Sequence, residues 1–256
     1  AGGTTSILDE MGGGFYMSTR VKGVPKGSGL GTSSILSGAC VRALGKFLGT
    51  TWSDSDVYEL VLNLEQIMST GGGWQDQVGG LTGGIKYITS RPGMKQKLKV
   101  EYLDLGEDTK AELQERFALI YTGQRRLARN LLRDVVGNYI GGKKESKEAL
   151  EEMKHLAVMM RYELEQGDVD AFARLLNEHW EVSKKLDAGS TNTCIDQIFA
   201  SCEDLIDGKF ISGAGGGGFL QVILKKGVSK EMLRARLLDV YQDSGVDVWD
   251  SEFVWE

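Results

Sequence analysis

Two prolines, two histidines and three cysteines are all that 256 residues hold of those types. His155 and His179 alone cannot build a histidine-rich metal centre, and they leave little material for a Ser-His-Asp triad. Cys40, Cys194 and Cys202 are odd in number and form no CxxC pair, so reduced thiols fit better than a disulfide framework or a zinc site. Dense runs of Lys or Arg are missing, and 30 basic against 36 acidic residues leave a net charge of -6, which gives no nucleic-acid footprint. No apolar stretch approaches the roughly 18 residues that span a bilayer, and the first twenty residues lack the apolar segment of a signal peptide. These absences leave a cytoplasmic protein with neither a nucleic-acid nor a membrane partner, long enough for one large or two small domains.

What the chain has in excess is glycine, 35 residues, about twice the usual share of roughly 7%. The surplus is bunched: four between Gly23 and Gly31, seven between Gly71 and Gly84, five between Gly213 and Gly218. There is no period of three, which excludes collagen, and 41% apolar residues exclude a disordered low-complexity chain. Glycines bunched between periodic segments mark backbone that turns tightly or approaches a ligand closely.

Periodicity predicts a strand over 15–21, then helices over 34–48 and from Ser53 or Asp54 through Met68. Strands are predicted over 84–89, 98–105 and 117–121. From Gln124 the pattern turns helical, over 126–139, 144–166, 169–186 and 192–204, followed by a strand at 219–224, a helix at 229–243 and a last strand at 247–255. This order predicts an α+β fold of two subdomains, 1–122 and 123–256.

The first glycine cluster, PKGSGLGTSS, lies between a predicted strand and a predicted helix. Alternate glycines let successive amides converge, and the helix start adds free N–H groups and partial positive charge, which suits phosphate. The hydroxyls of Thr32, Ser33 and Ser34 add ligands for phosphate or magnesium. Spacing excludes a Walker A loop, because Lys26 precedes the glycines, and a Rossmann fingerprint, because the run is GxGxG; HRD and DFG, which mark protein kinases, are missing too. A plain strand-to-helix connection is the simpler reading of the loop taken alone.

Glu65 and Asp76 flank the second cluster, and a fold-back at the glycines brings both near the first loop. Phosphoryl transfer needs two such groups, an oxygen ligand for magnesium and an acceptor for the hydroxyl proton. Each has a bland alternative, an exposed helix carboxylate for Glu65 and a helix cap for Asp76. The third cluster, Gly213 to Gly218 with only Ala214 between, costs folding entropy that another backbone lying against it would offset.

Together the three segments resemble the superfamily of galactokinase, homoserine kinase, mevalonate kinase and phosphomevalonate kinase (GHMP). PKGSGLGTSS is similar to its nucleotide-phosphate loop and GAGGGG to its C-terminal glycine motif. LEQIMSTGGGWQDQVGG with the following GIK, and YTGQRRLARNLL, are similar to L-fucokinases and to the kinase half of bifunctional fucokinase/GDP-fucose pyrophosphorylases. The resemblance runs from about residue 24 to about residue 225. It implies a two-part fold, an N-terminal domain like domain 2 of ribosomal protein S5 and a helix-rich ferredoxin-like C-terminal domain. It further implies ATP- and Mg2+-dependent phosphorylation of the anomeric hydroxyl of L-fucose.

By position, Pro25, Gly27, Ser28, Gly29, Leu30, Gly31, Thr32, Ser33 and Ser34 would hold the nucleotide, supported by Gly213, Ala214, Gly215, Gly216 and Gly217. Ser33 and Glu65 would ligate magnesium, Asp76 would be the catalytic carboxylate, and Gly73, Trp74 and Asp76 would meet the sugar. Trp74 stands where heptose 1-kinases of the superfamily carry Lys; an indole stacks on an apolar sugar face, though a core aromatic is the simpler reading. A heptose- or galactose-type kinase and a truncated, non-catalytic binding module are the alternatives.

In the superfamily the phosphate loop stands well inside the chain, whereas here it begins at Pro25. The expectation is therefore a chain missing the front of its first domain, with uncovered apolar surface and a sheet edge that predict dimerisation or marginal solubility.

Overall fold

Gly31 ends the first glycine loop and caps helix α1, Thr32–Phe47, from the left-handed region (φ 64°) without a side-chain cap. The computed structural model that describes this helix covers residues 12–68, 72–93, 97–124, 129–213 and 215–255. Helix α2, Asp54–Ile67, opens on a capping box: Ser53 Oγ accepts from the Asp56 amide at 3.2 Å, and the Asp56 carboxylate accepts from the Ser53 amide at 2.9 Å. Val57, Tyr58, Val61 and Glu65 form its buried face. Helix α3, Gln75–Gly80, is only six residues long, too short to persist in water without tertiary support. Gly80 packs on Ile35 of α1, and Leu81 fills the space that Gly38 leaves on the same helix.

Strands β1, Lys86–Ser90, and β2, Leu98–Tyr102, form an antiparallel hairpin with Lys86 opposite Tyr102. Then follow α4, Glu107–Arg116, β3, Phe117–Thr122, and the helices α5, Arg129–Ile140, α6, Lys144–Gln166, and α7, Val169–Leu186. Asp168 starts α7 by accepting from the Ala171 amide at 2.7 Å. A 3₁₀ turn at Ala188–Ser190, α8, Thr193–Ser201, β4, Ile206–Ile211, β5, Phe219–Leu224, α9, Lys230–Tyr241, and β6, Val246–Trp249, complete the order. Among the described residues no helix is long and apolar enough to cross a membrane.

The larger sheet is antiparallel in the order β4-β5-β3-β6. Because β5 is covered on both faces, FLQVIL reads as a nearly continuous apolar run rather than an alternation. Leu220, Val222 and Leu224 join Leu233 and Leu237 of α9 in one cluster, while Ile223 joins Leu113 of α4 and Leu164, Ala173 and Leu176 of the α6–α7 pair in another. The expected boundary at residue 122 falls at the end of β3, whose partners β5 and β6 belong to the C-terminal sheet.

The predicted strand at 15–21 does not form: the segment has no pairing partner among the described residues, and Tyr16 is 92% exposed. The last strand ends at Trp249 instead of residue 255. Besides the short helix α3, two elements arise without a prediction, α4 and β4.

Arg116 ties the two together. Its side chain, 3% exposed, donates to Leu224 O at 2.7 Å, Asp170 at 2.6 Å and Asp207 at 2.8 Å, and also to Glu112. Arg116→Met leaves these acceptors without their shared cation and is expected to lower stability by about 2–3 kcal/mol in urea denaturation. Hydrogen bonds from Lys226 and Arg116 hold the Asp170 carboxyl below the usual carboxylate range. Its contribution is therefore present above that range and lost as pH falls through the depressed folded value, a slope the variant partly flattens. An unchanged urea midpoint would remove Arg116 from this role.

Candidate active site

Three alternate glycines shape the first loop. Gly27, Gly29 and Gly31 have φ of 76°, 78° and 64°, a region that other residues enter only at a cost. Between them Ser28 is 1% exposed; its Oγ accepts from the Leu30 amide at 3.3 Å, and its carbonyl accepts from the Phe219 amide at 3.1 Å. The loop is thus locked onto the start of β5.

The third cluster lies directly against it. Gly213, Gly215, Gly216, Gly217 and Gly218 all have positive φ. A Cβ at Gly218 would stand 2.3 Å from Ser28 O, and one at Gly29 would stand 2.5 Å from Ser212 O. Two backbones approach here at a distance that excludes any side chain between them. The turn is anchored behind by the Gly216 amide donating to Ser190 O at 2.9 Å and by Asn192 Nδ2 donating to Gly216 O at 3.2 Å. Ala214 lies outside the described residues.

α1 begins at the loop's exit. Its first-turn amides, at Thr32, Ser33 and Ser34, have no intrahelical partner and carry the positive end of the helix dipole. Ser33 is exposed and Thr32 half-buried, so both hydroxyls are available to a ligand. Ser34 turns inward and donates its hydroxyl to Glu65, both side chains being buried. The family resemblance implies Ser33 and Glu65 as metal ligands; the structure brings the next hydroxyl, Ser34, onto that carboxylate. Among the described residues no group of three or more His, Cys, Asp or Glu gathers as a metal cage. Magnesium commonly takes one or two protein oxygens plus phosphate and water, and hydroxyls beside Glu65 at the glycine loop fit that donor set.

Asp76 stands in the first turn of α3, packed over Gly31: a Cβ at Gly31 would lie 2.9 Å from both Cβ and Cγ of Asp76. The residue is exposed at the surface, yet its neighbours desolvate the carboxyl enough to push its pKa above the usual carboxylate value. Trp74, the residue before α3, is half-buried, so it is no core aromatic, and Gly73 is exposed beside it. Gln66 Nε2 donates to Gly72 O at 2.9 Å and ties the end of α2 to this stretch. Pro25 is half-buried at the loop's entry and Leu30 half-buried within it.

Residues outside the sequence-based set also shape the site. Ser212, Ser190 and Asn192 hold the glycine turn, and only the Ser-Thr-Asn run ahead of a helix signalled part of this. Gln77, next to Asp76, is fully buried, and neither of its amide atoms has a hydrogen-bond partner. A lone glutamine carries no sequence signal of such burial.

Comparison with known proteins fits this arrangement. Residues 3–84 match the family model described as GHMP kinases N terminal domain, and residues 160–242 match GHMP kinases C terminal. The bifunctional fucokinase/GDP-fucose pyrophosphorylase of Arabidopsis thaliana is 38% identical over 214 residues, covering 84% of this chain and 20% of that protein. The L-fucokinase/L-fucose-1-P guanylyltransferase of Bacteroides fragilis is 35% identical over 218 residues, 85% of this chain and 23% of that one. The chain thus spans only 20% to 23% of the length of these curated relatives. Among solved structures, Streptococcus pneumoniae phosphomevalonate kinase in complex with phosphomevalonate and AMPPNP superposes with a TM-score of 0.73 at 16% identity, over 90% of this chain and 70% of that one, a likeness of fold alone. With both of its halves matched and its two glycine turns interlocked, the chain belongs to the GHMP kinase family and has that family's α+β fold.

Proposed function

We propose that the chain is the sugar 1-kinase part of its protein, transferring the γ-phosphoryl group of ATP to the anomeric hydroxyl of L-fucose. The observation that carries the reading is the Asp76 carboxylate packed over Gly31, at the exit of a loop of three left-handed glycines clamped by a second glycine turn. Residues 1–122 supply the loop and the carboxylate, and residues 123–256 supply the clamp.

Amides of the loop and of the α1 start bind the triphosphate oxygens. Ser33 or Ser34 and Glu65 would hold magnesium, which would supply positive charge beside the phosphates. Asp76 orients the anomeric hydroxyl and accepts its proton as that oxygen bonds to the γ-phosphorus; the bond from the γ-phosphorus to the bridging oxygen breaks, and ADP departs with the electron pair. Trp74, beside Asp76, offers an indole face to the apolar side of the sugar, which the methyl group of fucose extends. The fucokinase names of the two relatives support the choice of sugar.

The test is a panel of L-fucose, D-galactose, D-arabinose and D-glycero-D-manno-heptose with ATP and magnesium, followed by ADP release. ADP release with L-fucose is the expected result. Turnover of heptose or galactose in its place reassigns the substrate, and thermal stabilisation by ATP without ADP from any sugar identifies a non-catalytic nucleotide-binding module.

A further inference from the structure

Lys86 opens β1, but its side chain turns back onto the end of α3. The ammonium donates to Thr82 O at 2.5 Å, Gly83 O at 3.0 Å, Thr82 Oγ1 at 3.1 Å and Gly79 O at 3.2 Å. Its N–H bonds therefore face the carbonyls of the last turn of α3 and of the loop beyond, groups that have no intrahelical donor and carry the negative end of the helix dipole. Thr82 Oγ1 is shared further, with Tyr58 OH of α2 at 3.2 Å and Tyr102 OH of β2 at 3.3 Å, and the ammonium lies 5.8 Å from the Tyr102 ring centre. Helix α2, the 79–83 turn and the hairpin thus converge on one charge. Burial in this cage pulls the ammonium below the usual lysine value.

At its other end α3 carries Asp76. A six-residue helix whose last two positions are glycine has little persistence of its own, so whatever fixes its C-terminal end fixes the carboxylate too. We propose that Lys86 is a positioning residue: by binding the Gly79 carbonyl in the last turn of α3 and the Thr82 and Gly83 carbonyls just beyond it, it sets the helix axis, and with it the place of Asp76 above the glycine loop. The catalytic consequence rests on the kinase reading; the hold on α3 does not.

The test uses the chain as it is, with Lys86→Met, Lys86→Arg and Lys86→Ala, and reads two quantities. Amide hydrogen exchange is followed at Val78 and Leu81, which donate to Trp74 O at 3.2 Å and Gln77 O at 3.1 Å. Lys86→Met is expected to speed exchange there by roughly tenfold or more, leaving α6 and α7 protected. It is expected to lower kcat by roughly ten- to a hundredfold through misplacement of Asp76, with KM and ATP affinity nearly unchanged. Lys86→Arg keeps charge and donors and restores part of both, as does propylammonium added to Lys86→Ala. Unchanged exchange at Val78 and Leu81 overturns the proposal, and so does faster exchange at full turnover. A wild-type chain without turnover on any sugar would sink the kinase reading, while the exchange result still decides whether Lys86 holds α3. Should Lys86→Met lose its cooperative melt, rescue of Lys86→Ala by propylammonium decides: no recovery of α3 protection overturns the proposal.

Discussion

Asp76→Asn lowers sugar turnover by about 10²- to 10⁴-fold, the usual worth of a positioned proton acceptor, while ATP affinity changes little. The amide keeps the shape that packs over Gly31, so the loop geometry survives and only the chemistry is removed. Desolvation pushes the Asp76 carboxyl upward, so wild-type turnover falls as pH drops toward and through that raised value, where the group binds a proton and can no longer accept one. The variant loses this acid limb. Stability moves the other way: an acid with a raised folded pKa weakens the fold as pH rises through that value, so Asp76→Asn melts no lower than wild type at neutral pH. A variant that keeps wild-type turnover, or a wild-type profile with no acid limb, would take Asp76 out of its role.

Gly218→Ala is expected to cost both stability and nucleotide affinity. The new Cβ would meet Ser28 O at 2.3 Å and Ser28 C at 2.7 Å, with φ at 86°. Neither backbone can yield easily. The Gly218 carbonyl accepts from the Thr122 amide at 2.9 Å and from Thr122 Oγ1 at 3.0 Å, and its amide donates to Gln124 O at 3.1 Å. The left-handed conformation and the overlap each cost about 1–3 kcal/mol, so the variant loses several kcal/mol in urea denaturation. ATP affinity drops as well, because the displaced partner is the loop itself; calorimetric titration with ATP measures it. Gly79→Ala is the control, since a Cβ there meets nothing within 4 Å. Equal behaviour of the two variants would mean that the two turns do not clamp each other.

Periodicity made the C-terminal half legible. Helices α6 and α7 and strand β5 fall where the pattern puts them, because each buries one stripe or two faces in a large apolar core. Helix α4 was hidden because EDTKAELQER buries Leu113 as its single apolar residue, beside Thr109 and the ion-paired Arg116, which leaves no hydrophobic stripe to read. Strand β4 was hidden because Asp207 and Gly208 interrupt it at a register shift, which breaks the alternation that marks a strand. The segment at 15–21 shows the opposite error, since alternation alone does not supply a neighbouring strand to bond with. At the site, residue types were readable but their pairing was not. Glycine spacing announced the loop and its partner turn, whereas the inward rotation of Ser34 onto Glu65 and the reach of Lys86 across α3 depend on packing that no local pattern encodes.

The hydrogen bond from the Phe219 amide to Ser28 O joins opposite ends of the described chain. A chain emerging from the ribosome exposes its glycine loop long before the strand that closes it exists, and joining such distant segments carries a loop-closure entropy that the contacts between them must offset. The cradle is complete only when residues 212–219 are in place, since these supply the backbone that the loop packs against. Any ligand that spans the loop and the α1 start then acts as a staple on the finished fold, raising resistance to proteolysis in proportion to its free concentration.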